Sequence, residues 1–70
     1  MRYAVVIERA ADNFSAFVPD LPGCVATGET VEDVKREIAT AIRFHLDVLQ
    51  EDGLPIPELS SRCEYVEAAT

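Results

Sequence analysis

A cysteine beside a histidine would make an activated thiolate nucleophile, and Cys24 with His45 is the pair this sequence offers. His45 falls in the apolar stripe of a long helical run, between Ala41 and Leu49, where a histidine more commonly packs and hydrogen-bonds than catalyses. Cys24 opens an ordinary strand pattern, CVAT, and Cys63 lies in another, RCEYVEA, so both suit the role of small packed hydrophobes. Asp47 and Glu51 stand one helical turn apart, a spacing that brings carboxylates together. With Asp12, Asp20, Glu29, Glu32, Asp33 and Asp52 they fit a solvated surface better than a general acid and base. The three glycines form neither G-x-G nor G-K-S/T, so there is no phosphate cradle. No Cys/His spacing matches a zinc site. The sequence therefore assigns no catalytic, cofactor-binding or metal-ligating residue, and the protein is expected not to be an enzyme.

Six basic residues against thirteen acidic ones give a formal charge of −7, which repels phosphate backbones and argues against direct nucleic-acid binding. The same charge would attract a basic protein, or serve solubility alone. Hydrophobic residues make up 49% and charged residues 27%, a globular composition too apolar for a disordered tail. The opening YAVVIE has no basic stretch before it and no long apolar segment after it, so neither a signal peptide nor a membrane span is expected, and a cytoplasmic protein with free thiols fits. Residues 1–70 make one small domain with a thin core, for which oligomerisation is a common support.

The elements that must position these residues can be read in order. RYAVVIE (residues 2–8) is apolar and β-branched and predicts a strand; RAADN is a polar turn; FSAFV (residues 14–18) predicts a second strand, antiparallel to the first. Pro19 ends that ladder, Pro22 and Gly23 supply a fixed φ followed by a permissive one, and CVAT (residues 24–27) predicts a third strand. Gly28 lets the chain turn toward Thr30, an N-cap with Asp33 in the position of a capping-box acid. Thr30→Ala is expected to cost about 1 kcal/mol. Val31, Val34, Ile38, Ala41, Ile42, His45 and Leu49 recur at helical spacing over about 20 residues, until Gly53 caps the helix and LPIP forbids its continuation. RCEYVEA (residues 62–68) alternates as a fourth strand would. The expected class is α+β, in the order β-β-β-α-β.

One helix covers only one face of such a sheet, yet the strands carry apolar residues at both parities: Val5 and Ile7 against Ala4 and Val6, Phe14 and Val18 against Phe17. The other face is expected to be partly apolar and uncovered, which marks an interaction surface. Phe14, Phe17 and Leu21 are its candidate residues, divided between core and interface, with Leu21 at the loop tip packing or touching a partner.

Over essentially its whole length the chain resembles the HicB-like antitoxins of type II toxin–antitoxin systems. The resemblance rests on YAVVIE, PDLPGC, GET opening a helix, and FHLD with EDGLPIP closing it. It implies a truncated ribonuclease H-like fold whose task is to bind and neutralise a small, basic, mRNA-cleaving HicA toxin, with no cofactor. The ribonuclease H likeness implies no activity here, because the first strand, from Tyr3 to Ile7, holds no acidic residue. Many members add a C-terminal DNA-binding domain, whereas this sequence ends at Thr70, so a short form is expected, with autorepression by this chain alone unsupported. Two rivals remain. A solitary homo-oligomer, dimer or tetramer, would bind a different protein or a small ligand across its sheet. A small hydrolase or nuclease built on Cys24, His45 or a carboxylate cluster would have an activity for His45→Ala to abolish.

Overall fold

The computed structural model describes residues 1–69. Three strands, β1 (Val6–Arg9), β2 (Phe14–Phe17) and β3 (Val25–Gly28), precede one helix, α1 (Val31–Glu51). The strands form an antiparallel meander in the order β1-β2-β3, with Val6 opposite Phe17 and Phe17 opposite Val25. The β1–β2 turn closes through the Ala10 amide donating to the Asn13 carbonyl at 2.8 Å.

β1 begins four residues later than RYAVVIE predicts, for a reason that lies in its partner. The Val18 amide faces β3, donating to the Cys24 carbonyl at 3.1 Å, so the next β2 amide on the β1 side would be that of Pro19, which has none to give. Residues 2–5 are left beyond the paired strand.

Two consecutive turns carry the chain from β2 to β3. Leu21 donates to the Val18 carbonyl at 3.1 Å, and Cys24 donates to the Leu21 carbonyl at 3.0 Å. The second is a type II turn, with Pro22 at its first corner and Gly23 at φ 84° at its second, a conformation that favours glycine. Leu21 sits between the two turns and is driven inward. β3 consequently starts at Val25, because the Cys24 amide is spent on the turn.

α1 packs across β2 and β3. Its buried residues Val34 and Ile38 meet Ala16, Val18, Leu21 and Cys24, and Tyr3, Ile7, Phe14, Ala41, Ile42 and Leu46 pack around that nucleus. Thr30 is extended and its Oγ1 accepts from the Asp33 amide at 3.0 Å, so the predicted cap forms. Only half of a capping box is present, since the Asp33 carboxylate pairs with Arg36. At the other end Gly53 (φ 70°) donates to the Gln50 carbonyl and Leu54 to the Leu49 carbonyl, which together make a Schellman motif.

Two expectations are corrected. Gly28 is required for closeness rather than for freedom of φ: a Cβ there would lie 2.5 Å from the Val34 amide nitrogen and 2.9 Å from its Cα. Residues 62–68 form no strand and are exposed, because no ladder reaches them.

Candidate functional site

Strand alternation sorts the sheet into two faces. Ile7, Ala16 and Ala26 stand in one row across the three strands and belong to the core that α1 covers. Val6, Phe17 and Val25 form the adjacent row and point the other way. Phe17 is 39% exposed and Val25 64%, so the middle of the outer face is apolar and open to solvent. Glu8, Ser15 and Thr27 continue that face in polar fashion.

The three candidate aromatic and aliphatic residues are therefore not brought together. Phe17 reaches the outer surface. Phe14 packs against the core, and Leu21 is completely buried, which leaves it no area to offer a partner. Val25 went unnoticed in the sequence, although its place opposite Phe17 follows once the hairpin registers are known. Phe44, 70% exposed, and Val48 lie one turn apart on α1, outside its buried stripe, and form a second, smaller apolar spot.

Pro19, Pro22 and Gly23 shape a loop whose polar product is Asp20. Its carboxylate accepts four hydrogen bonds: from the amide and hydroxyl of Ser60 at 3.0 and 2.9 Å, and from those of Ser61 at 3.0 and 2.7 Å. The Ser61 amide and then the Ser61 hydroxyl are the main reasons that the carboxyl titrates at about 2, below its ordinary 3.8. By residue type Asp20 is one more surface acid; its position between two prolines, in a rigid loop, is the signal that sets it apart. Tyr3 adds a second tie, its hydroxyl donating to the Pro57 carbonyl at 2.9 Å. Between residues 2–5 and 61–64 runs a groove of about 610 Å³. A hollow of about 340 Å³ lies beside α1, between Met1, Ile42, Leu46 and Ile56.

The residues first considered for chemistry are dispersed. Cys24 is buried beneath the turn, and burial pushes its thiol up, away from the thiolate a nucleophile needs. Cys63 is exposed, its Sγ 3.9 Å from the Val5 carbonyl oxygen. His45 is half-buried on α1. Among the described residues no three His, Cys, Asp or Glu side chains are grouped to hold a metal ion. No described helix is long and apolar enough to cross a membrane.

What the geometry offers is a small frame with an open apolar sheet face. The chain is 32% identical over 66 residues to an uncharacterised 14.9 kDa protein of the rep-hol intergenic region of Haemophilus phage HP1, covering 94% of this chain and 50% of that one. It thus spans half the length of the phage relative. A UPF0150 protein of Helicobacter pylori is 43% identical over 49 residues, covering 70% of this chain and 68% of its own. The Synechocystis UPF0150 protein ssl0259 is 34% identical over 68 residues, covering 96% and 93%. Among solved structures, a chain of a HicA3 and HicB3 toxin-antitoxin complex superimposes with a TM-score of 0.73 at 27% identity, over 86% of this chain and 70% of that one. The model of the HicB-like antitoxins of bacterial toxin–antitoxin systems matches residues 3–70, and the chain belongs to that family.

Proposed function

We propose that this chain is an antitoxin that captures a small basic HicA-type toxin by protein–protein contact, in the cytoplasm and without catalysis of its own. The observation that carries this reading is the likeness to a chain of the HicA3 and HicB3 complex, at a TM-score of 0.73. The net charge of −7 suits a basic partner by speeding the encounter. The row Val6, Phe17 and Val25 supplies apolar area for the contact. In this reading the sheet and helix are a truncated ribonuclease H-like frame put to binding, and residues 62–68 join a sheet as its fourth strand on assembly. Calorimetric titration of the chain with a small basic HicA-type protein tests it. Heat of binding that disappears in Phe17→Asp/Val25→Asp, with the variant still folded, is the expected result. No heat, and no relief of RNA cleavage by the toxin, refutes the reading.

A second reading, a homo-oligomeric binding domain without a toxin, is favoured by one specific observation. Among the described residues no strand pairs with the second edge of β1, and an unpaired edge of this kind suits self-association.

A further inference from the structure

Phe44 stands 70% exposed on α1, and Val48, one turn further along, is 36% exposed. Glu37 precedes Phe44 by two turns and Glu51 follows Val48 by one, so the four side chains share a single stripe of the helix surface. The bases of the helix, Lys35, Arg36 and Arg43, all fall outside it.

The packing says which way the stripe looks. Ile42, Arg43, Leu46 and Gln50 border the hollow beside Met1 and Ile56, so that flank of the buried residues is turned toward β1 and the chain after the helix. Phe44 and Val48 lie on the opposite flank. It is the one toward β3, whose second edge carries no strand among the described residues.

Charge says what fits there. The C-terminal end of a helix is negative and is stabilised by cations, yet the last turn of α1 holds no base and closes on Glu51 and Asp52. Asp33 has Arg36 beside it, whereas neither Glu37 nor Glu51 has an ion-pair partner among the described residues. The chain thus places unpaired carboxylates around an exposed aromatic, one of them where the helix itself disfavours it. A cationic surface pairs with both carboxylates and offsets the helix end, and an apolar recess in that surface takes Phe44 out of water.

We propose that this flank of α1 is a docking site for the small basic protein of the antitoxin reading: Phe44 enters an apolar recess of the partner with Val48 beside it, while Glu37 and Glu51 pair with lysine or arginine side chains at its rim. The site rests on that reading and lies on the helix side of the sheet, apart from the row Val6, Phe17 and Val25. An aromatic anchor ringed by polar contacts carries affinity, and the surrounding charges set the rate of encounter.

The test is calorimetric titration and stopped-flow association of a small basic HicA-type protein with the full chain, with Phe44→Ala and with Glu37→Lys/Glu51→Lys. Phe44→Ala is expected to weaken binding roughly tenfold or more, with the helical circular dichroism kept. The charge reversal puts bases one turn after Asp33 and Asp47 and at the helix end, so it is expected to raise the melting temperature. Association is nevertheless expected to slow roughly tenfold at low salt, by a margin that shrinks at high salt. A chain that is more stable and yet binds more slowly separates recognition from folding. Unchanged affinity in Phe44→Ala, with binding lost in Phe17→Asp/Val25→Asp, overturns the helix site and leaves the antitoxin reading on the sheet face. Absence of binding by the unmodified chain overturns both. If light scattering finds a dimer that Phe44→Ala dissociates while toxin affinity stands, the flank belongs to a second copy and the proposal falls. Should Phe44→Ala lose helicity, the charge reversal decides alone, and association as fast as that of the unmodified chain overturns the site.

Discussion

Two irregular segments of this molecule share a composition and behave in opposite ways. Residues 18–24, between β2 and β3, and residues 54–69, after α1, each contain two prolines and several apolar residues. The first is closed by three local backbone hydrogen bonds and buries Val18, Leu21 and Cys24. The second leaves Leu54 and Leu59 about half exposed and is held at Tyr3 and Asp20, across 40 and more residues of sequence. Proline stiffens both, but only a segment whose amides are satisfied within itself can carry its side chains into a core. The contrast also divides the labour: the first segment builds the fold, and the second lies over its surface.

The sharpest way to break this contrast is to truncate one leucine in each segment. Leu21→Ala is expected to cost about 2–5 kcal/mol, the range for an aliphatic side chain lost from a core, while Leu59→Ala stays within about 0.5 kcal/mol. Urea denaturation of the two variants measures both; equal losses would mean that the second segment belongs to the core after all.

That first expectation shows what could be read in advance. The order P-D-L-P-G-C announces a rigid connection from turn chemistry alone, and the type II turn at Leu21 to Cys24 matches it. Whether Leu21 faced the core or a partner stayed open, because turn type sets the backbone path and not the side on which the sheet is covered. The same limit applies to Phe14 and Phe17: alternation separates them, but the helix decides which is inside.

A smaller effect concerns the corner itself. Gly23→Ala must hold φ near 84° with a side chain present, which costs about 1–2 kcal/mol even though nothing lies within 4 Å of the added carbon. Thermal unfolding of Gly23→Ala and of Gly53→Ala, whose φ is 70°, is expected to give similar losses, since the penalty in each is conformational and not steric.

Tyr3→Phe removes the hydroxyl that donates to Pro57 and is expected to lower stability by about 0.5–1.5 kcal/mol at most. Hydrogen exchange should rise in residues 54–69 while the amides of α1 hold. Uniform acceleration throughout the chain would contradict the division between the two segments.

The smallest global effect is expected from acid. Asp20 titrates at about 2 in the folded chain against an ordinary 3.8, so its charged form favours attachment of Ser60 and Ser61. That contribution is complete above pH 3.8 and disappears as the pH falls toward 2. NMR shifts of Ser60 and Ser61 should follow this window, and Asp20→Asn should abolish the dependence without unfolding the sheet.

The elements whose causes are local were legible in the sequence. The Thr30 cap, the helix through Glu51, the Gly53 terminus and the β2–β3 turn each depend on side chains within a few residues of one another, so their residue types announce them. The tertiary structure alone decided the rest. It set the need for glycine at position 28, through the approach of Val34. It made Asp20 the anchor of a segment 40 residues away, and it left residues 62–68 without a partner in their own sheet. Alternation shows that a stretch is able to pair, but a ladder needs a free edge within reach, and where that edge lies is a property of the packed chain.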